Sequence, residues 1–123
     1  MADTRMVLLV DDEPDVVLVI RGRLTTWGYQ VATAANGQEA LEAVSRRVPD
    51  LILIDLKMPV LDGKETCHRL RADPCFSKIP IILITSSSQK AASEELAELQ
   101  TDDCLIKPFD PKELLAKIKK WIG

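Results

Sequence analysis

Five polar residues stand where short aliphatic runs stop. Asp11 and Asp12 follow Met6–Val10, Asp55 follows the run 51–54, Thr85 follows 79–84, and Lys107 follows 105–106. Carboxylates gathered in one partly desolvated crevice repel one another by on the order of several kcal/mol at an effective dielectric of about 20. Such a cluster persists when a cation compensates it. An all-oxygen set built from Asp favours a hard divalent ion, and Mg²⁺ fits best because it keeps several waters and needs only one or two carboxylates. A carboxylate beside Mg²⁺ and a lysine can act as a nucleophile toward phosphorus and form an acyl phosphate. Lys107 would neutralise charge on the transferring oxygens, and the Thr85 hydroxyl could donate to one of them. The sole histidine, His68, falls mid-helix away from the strand ends and reads as a surface or packing residue. With no such base to activate water, the acyl phosphate would be long-lived.

The elements that must position these residues alternate regularly. Residues 5–10 are strand-like, and 14–27 place Val16, Val17, Ile20, Leu24 and Trp27 at helical spacing, with Pro14 suited to the first turn and Gly28 to the stop. Residues 30–34 read as a short strand. Asn36 with Glu39 three residues on forms a capping-box pattern, and Leu41, Val44 and Val48 share a helical face. The run 51–55 is continuously apolar up to its last residue, as in a strand covered on both faces. Residues 57–63 form a loop by their Pro and Gly, and a helix runs on to about Asp73 with Cys67 and Leu70 inward. Residues 80–85 make the fourth strand, 86–89 a turn, Ala92, Leu96 and Leu99 a modest helix, and 104–106 the last strand. Residues 112–122 form a helix burying Leu114, Leu115, Ile118, Trp121 and Ile122. Five strands alternating with five helices predict an α/β protein with a parallel doubly wound sheet, right-handed crossovers and helices on both faces. In such a sheet the carboxyl ends of neighbouring strands converge on one crevice, which is where the five polar residues stand.

Composition narrows the field. The 123 residues suit one domain, with 46% hydrophobic and 28% charged, ordinary values for a water-soluble globular protein. A net charge of −3 offers no footprint for direct nucleic acid or anionic membrane binding. The apolar runs are too short to cross a bilayer, and no basic-then-apolar leader opens the chain. Cys67, Cys75 and Cys104 are odd in number and unpaired in spacing, which suits a reducing cytoplasmic setting.

Each polar residue also has a plain structural explanation. Asp12-Glu13-Pro14 could cap a helix, Asp55 could cap the following turn, Thr85 could simply end a strand, and Lys107 could snorkel at the surface. All of these holding together at the carboxyl ends of four strands is hard to reconcile with the convergence of such ends.

The chain resembles the receiver domain of bacterial two-component response regulators, the family typified by the chemotaxis regulator. The strings that carry the likeness are Val-Leu-Leu-Val-Asp-Asp-Glu-Pro (7–14), Pro-Asp-Leu-Ile-Leu-Ile-Asp-Leu-Lys-Met-Pro-Val-Leu-Asp-Gly (49–63), Ile-Pro-Ile-Ile-Leu-Ile-Thr-Ser (79–86) and Leu-Ile-Lys-Pro-Phe (105–109). They cover the whole chain in family order and spacing. The resemblance implies a single receiver domain over 1–123 with a flavodoxin-like (βα)5 fold and strand order 2-1-3-4-5. It implies Asp55 as phosphoacceptor, and Mg²⁺ held by Asp11, Asp12, Asp55 and the backbone carbonyl of Lys57. Thr85 and Lys107 would bind the phosphoryl group, and the Lys107–Pro108 bond would be cis. A histidine kinase or histidine phosphotransfer protein would be the donor. A shift of Thr85, the following loop and the fourth helix would change the face formed by the fourth helix, fifth strand and fifth helix, for a downstream protein or output domain to read. The chain would then be a signalling switch, not an enzyme.

Some positions depart from the family pattern. Cys104 stands where members commonly carry Tyr or Phe, so the aromatic half of the switch is absent, and Cys104 reads as a small buried hydrophobe. Gln100-Thr101 replaces a frequent Gly-Ala, so the turn into the last strand is expected to differ. Lys57 and Ser87 occupy positions that tune dephosphorylation in the family. The expected output face offers Glu94, Glu95, Glu98, Asp102 and Asp103 against Lys112, Lys117, Lys119 and Lys120. A symmetric dimer through those charges is one expectation, and a solvated mixed-charge surface is the other. Competing functions fit less well. An aspartate-nucleophile phosphatase needs Asp-x-Asp after its first strand, and a flavodoxin needs a hydroxyl- and glycine-rich phosphate loop where this chain is acidic. A receiver that had lost phosphorylation would not keep all five residues.

Overall fold

The computed structural model describes residues 5–56, 62–86 and 88–122. The element order is β1 (Met6–Val10), α1 (Pro14–Thr26), β2 (Gln30–Ala34), α2 (Gly37–Arg46), β3 (Leu51–Asp55), α3 (Gly63–Ala72), β4 (Ile81–Thr85), α4 (Gln89–Glu98), β5 (Asp103–Ile106) and α5 (Pro111–Ile122). The five strands form one sheet in the order β2-β1-β3-β4-β5, every pair parallel. The predicted alternation and winding are therefore observed, with ends displaced by a residue or two.

Side-chain alternation along the strands splits the core in two. Leu8, Val10, Ile52, Ile54, Ile81 and Leu83 face a layer that includes Ala40, Val44, Cys67 and Leu70 of α2 and α3. Val7, Leu9, Leu51, Leu53, Ile82, Ile84 and Leu105 face Ile20 and Leu24 of α1 and Leu114 and Ile118 of α5. Both faces of β1, β3 and β4 are fully covered, which is why their sequences read as continuous aliphatic runs.

Local signals fix the helix ends. Asn36 Oδ1 accepts the Glu39 amide at 2.9 Å, while Glu39 Oε1 accepts from Ala35 N–H at 3.0 Å, one residue earlier than the capping box predicts. Asp62 and Ser88 cap α3 and α4 in the same way, accepting from the Glu65 and Ala91 amides. At the end of α1, Gly28 takes φ +95° and its amide bonds to Thr25 O. Helix α2 stops at Arg46, so Val48 leaves the helical face and is 54% exposed, contrary to the sequence expectation. Leu115, Trp121 and Ile122 are half-buried and not fully buried.

The turn into β5 keeps the conformation a glycine would adopt: Gln100 has φ +55°. A left-handed φ costs a non-glycine residue roughly 1–2 kcal/mol. The Gln100 carbonyl accepts from Arg71 Nε at 2.7 Å, and the Thr101 amide bonds to Leu96 O, so neighbouring contacts hold the strained residue in place. Gly22, in contrast, lies in the interior of α1 with no atom within 4 Å of where a Cβ would sit. Nothing in the fold requires a glycine there, though it costs the helix about 1 kcal/mol relative to alanine.

Charges near β5 are more deeply committed than a surface reading predicts. Asp103, expected on the output face, lies within β5 and is buried. Its Oδ1 accepts from Lys117 Nζ at 2.7 Å and its Oδ2 from Trp121 Nε1 at 3.1 Å. Burial alone would push the Asp103 carboxyl up, but these two bonds and the Cys104 amide outweigh it and hold it below the usual range. A depressed carboxyl contributes stability above its ordinary titration range and loses it as pH falls through the folded value. An acid-unfolding curve of Asp103→Asn is expected to be flatter than that of the parent at the low-pH end.

Candidate metal and phosphoryl site

The sheet brings Asp11, Asp12, Asp55, Thr85 and Lys107 to its carboxyl edge. Asp55 is the last residue of β3 and pairs in register with Ile84, and Thr85 ends β4 opposite Ile106. The Lys107 amide donates to Thr85 O at 2.7 Å, so the backbone of the ammonium-bearing residue is tied to that of the hydroxyl-bearing one. Asp11 follows β1 directly, with its amide on Ala34 O at 3.0 Å, and it is only 1% exposed. Asp12 beside it is exposed.

The side chains do not behave as isolated caps. Asp11 Oδ1 accepts the Glu13 amide at 3.0 Å, while Asp11 Oδ2 is buried with no hydrogen-bond partner. Glu13 occupies the N-cap position of α1 without a side-chain capping bond. One carboxylate oxygen from each of Asp11, Asp12, Glu13 and Asp55 lies within 4.8 Å of the others. An orphaned buried carboxylate oxygen inside an all-oxygen acidic cluster fits a hard divalent cation, because burial without a counter-charge is costly. Glu13 is the member that the sequence reading named only within a possible helix cap, Asp12-Glu13-Pro14, although three consecutive acids after a strand are a legible signal.

Lys107 Nζ donates to Asp55 Oδ2 at 3.0 Å. Burial works against the Lys107 ammonium, but the bond and the Asp55 charge, with Asp11 behind it, raise its pKa overall. The Asp11 carboxyl is also raised, which for an acid disfavours the charged form. Burial raises its carboxyl, the Glu13 amide opposes that, and the Asp55 charge adds to the rise. A raised acid costs stability progressively as pH climbs past the ordinary carboxyl range, since its ionised form is disfavoured in the fold. Asp11→Asn is therefore expected to stabilise the metal-free protein at neutral pH. The same variant should lose most of the increase in melting temperature that Mg²⁺ gives the parent, which calorimetry with and without the ion reads directly.

The Lys107–Pro108 bond is cis. His68 is exposed on α3, away from the strand ends. The Lys57 carbonyl and Ser87 lie outside the described residues. Cys104 is half-buried against the α3 side of the core, and burial raises its thiol pKa. Burial pushes Cys67 further, up to about 12, so it stays a neutral core side chain.

A glycine missed as a site residue sits at the start of α3. A Cβ on Gly63 would lie 2.7 Å from both Asp55 O and Leu56 Cα. Only a residue without a side chain lets α3 approach the end of β3 so closely, and that approach sets where Asp55 stands. The face expected to carry the output is also less charged than predicted. Asp102 bonds Arg71 and the Ile81 amide, Asp103 and Lys117 bond each other, and Glu95 lies 3.9 Å from Lys64. Glu94, Glu98, Lys112, Lys119 and Lys120 remain exposed.

Comparison with known proteins agrees with this geometry. Residues 7–119 match the family described as response regulator receiver domain. The chain is 42% identical over 113 residues to a probable transcriptional regulator ycf27 of Guillardia theta, covering 92% of this chain and 43% of that protein. It is 37% identical to the alkaline phosphatase synthesis transcriptional regulatory protein PhoP of Bacillus subtilis, covering 94% of this chain and 47% of that one. The chain thus spans about half the length of the curated relatives it matches. Among solved structures, the receiver domain of the sensor histidine kinase PA1611 of Pseudomonas aeruginosa has a magnesium ion coordinated in its active-site cleft. It superposes with TM-score 0.90 at 34% identity, covering 98% of this chain and 99% of that one. A putative response regulator of Chloroflexus aurantiacus gives TM-score 0.92 at 32% identity, with 98% of each chain covered.

Proposed function

The chain belongs to the response regulator receiver family of two-component signalling, and on that premise we propose that residues 1–123 form one receiver domain whose phosphoacceptor is Asp55. The observation that carries the reading is the Lys107–Asp55 contact at 3.0 Å within a cluster that includes the orphaned Asp11 Oδ2. Asp11, Asp12 and Asp55, with the Lys57 carbonyl, are the proposed holders of Mg²⁺. When bound there, the ion would supply charge neutralisation and alignment for the transferring phosphoryl oxygens.

A carboxylate oxygen of Asp55 attacks phosphorus on a phosphohistidine of a histidine kinase or histidine phosphotransfer protein. The P–N bond breaks, and its electron pair stays with the departing imidazole. Lys107, already on Asp55, exchanges that carboxylate for a phosphoryl oxygen, and the Thr85 hydroxyl donates to another. The backbone link from Lys107 N–H to Thr85 O keeps the two groups in step. Helix α4 has one buried residue, Ala92, so it is lightly anchored and the natural element to follow Thr85. Phosphorylation then biases a two-state equilibrium of the α4-β5-α5 face, read by a downstream protein or an output domain. The role is that of a switch, not of a turnover enzyme, and the setting is the cytoplasm. Among the described residues no helix is long and apolar enough to cross a membrane. A symmetric dimer through α4-β5-α5 would have Glu94, Glu98 and Glu113 as exposed acids to offer among the described residues.

Incubation with acetyl phosphate and Mg²⁺, followed by intact mass measurement, tests the assignment. The parent should gain one phosphoryl unit that is acid-stable and base-labile, and Asp55→Asn should gain none. Equal uptake by both proteins would remove Asp55 from its role.

A further inference from the structure

Strand β2 is one edge of the sheet, and it carries none of the charges or prolines that commonly keep such an edge from pairing. Its residues run Gln-Val-Ala-Thr-Ala from Gln30 to Ala34. The opposite edge differs, since β5 holds Asp103, bonded to Lys117 and Trp121 of α5. The Gln30 amide donates to Arg5 O at 2.9 Å, and Ala34 O accepts from the Asp11 amide at 3.0 Å. Gln30, Ala32 and Ala34 therefore turn their backbone groups toward β1. By the alternation of the strand, the N–H and C=O of Val31 and Thr33 point away from the sheet. Among the described residues no other strand lies on that side.

The flank of α2 runs beside this edge and is complementary to itself. Leu8 and Ala32 border a groove of about 510 Å³ that Glu39, Ala43 and Arg47 also line. Glu39 stands at the end near Ala34, where its Oε1 accepts the Ala35 amide. Arg47 stands at the other end with Met6, which is in register with Gln30. Ala43 lies midway, four residues from each. A two-fold axis through Ala32, perpendicular to the sheet, exchanges the level of Ala34 with that of Gln30, and so the level of Glu39 with that of Arg47. The acid of each copy then faces the base of the other, as an isologous interface requires. On the axis Ala32 meets its own copy as a non-hydrogen-bonded pair, with Cα atoms about 4.5 Å apart, where a small side chain fits. A different protein would have to bring both a bare strand and charges in matching order, whereas a second copy supplies them by symmetry.

We propose that the sheet continues through β2 into a second copy of the chain, antiparallel and centred on Ala32. Val31 N–H donates to the partner subunit's Thr33 carbonyl, Thr33 N–H donates to the partner subunit's Val31 carbonyl, and the axis repeats both bonds. Glu39 stands opposite the partner subunit's Arg47 across the merged groove. The contact is independent of the chemistry at Asp55 and leaves the α4-β5-α5 face free. Only short strands and the flanks of two helices meet, so the dimer is a weak one.

Sedimentation velocity over a range of protein concentrations, paired with amide hydrogen exchange, tests the contact. The parent should dimerise as concentration rises, and the Val31 and Thr33 amides should exchange about tenfold or more slowly in the dimer. Thr33→Pro removes an outward amide and no bond to β1, so it should weaken the dimer about tenfold or more while the monomer stays folded. Glu39→Arg and Arg47→Glu should each dimerise poorly alone, because like charges then face one another. An equal mixture of the two should form a heterodimer that recovers most of the parent's affinity, since unlike charges meet again on both sides. That recovery separates the contact from the part Glu39 plays at the start of α2. A parent that stays monomeric throughout, a dimer whose Val31 and Thr33 amides exchange as in the monomer, or a mixture no better than the single variants overturns the proposal.

Discussion

Arg71→Ala is expected to destabilise the protein by about 1.5–3 kcal/mol, the range for a hydrogen bond to a charged group. The Arg71 side chain is 10% exposed and its guanidinium makes four bonds. Nε donates to Gln100 O at 2.7 Å, Nη1 to Ser77 O at 3.0 Å and Ile79 O at 2.8 Å, and Nη2 to Asp102 Oδ2 at 2.9 Å. One side chain in the last turn of α3 thereby fixes the approach to β4, the left-handed Gln100 and the entry to β5. Its loss strands the Asp102 carboxylate, which keeps only the Ile81 amide among these partners. Lysine would not rescue the site, because a single ammonium cannot reach acceptors arranged around a planar fork. Urea unfolding of Arg71→Ala and Arg71→Lys should show both midpoints well below the parent, with alanine the lower. These contacts lie at the amino ends of β4 and β5, opposite the crevice, so phosphoryl uptake by the folded variant should be close to normal. Parent-like stability in Arg71→Ala would show that the four bonds are replaced by water at little cost.

Gly63→Ala should harm stability and chemistry together. The new methyl would meet Asp55 O and Leu56 Cα at 2.7 Å, and neither atom can turn aside as a flexible side chain could. Over-packing of this kind costs about 1–3 kcal/mol. To relieve it, the start of α3 or the end of β3 must shift, and the end of β3 carries Asp55. A displacement of about 1 Å in a reacting group can cost up to roughly a hundredfold in rate. The expected result is a lower unfolding midpoint and a fall of at least about tenfold in phosphoryl uptake from acetyl phosphate. Gly22→Ala provides the contrast, since its open surroundings predict a more stable helix with unchanged uptake. Similar behaviour of the two variants would sink the distinction between a glycine required by close approach and one that is not.

The residues whose placement was legible in the sequence are those governed by local periodicity and by strand ends. Aliphatic runs of strand length at 6–10, 51–54 and 81–84 could only be covered strands, and helical spacing of Val16, Ile20 and Leu24 set one face of α1. Parallel winding then gathers whatever follows each strand, so Asp11, Asp12, Asp55, Thr85 and Lys107 converged as their positions predicted. Burial and pairing of charges were not legible, because they depend on partners far away in the chain. Arg71 finds Gln100 and Asp102 across 29 and 31 residues, and Asp103 meets Lys117 and Trp121 across 14 and 18. A charged residue read alone defaults to the surface, and only the packed chain reveals a donor waiting to satisfy it.

The same division separates the glycines and the turn before β5. Sequence marks Gly63 as a loop residue. Its true constraint is the distance between α3 and β3, which no one-dimensional pattern records. Gln100 was expected to alter a turn that glycine usually makes, yet the Arg71 bond to its carbonyl preserves the left-handed geometry. The order of apolar and polar residues along the chain thus determined the parallel alternation of the sheet and the gathering of Asp11, Asp12 and Asp55 at one edge. Tertiary contact alone decided which charges are buried, which carboxylate oxygen of Asp11 is left without a partner, and how closely helix and strand meet behind Asp55. Periodicity is a property of neighbours in sequence, whereas desolvation and close approach arise only when distant segments share space.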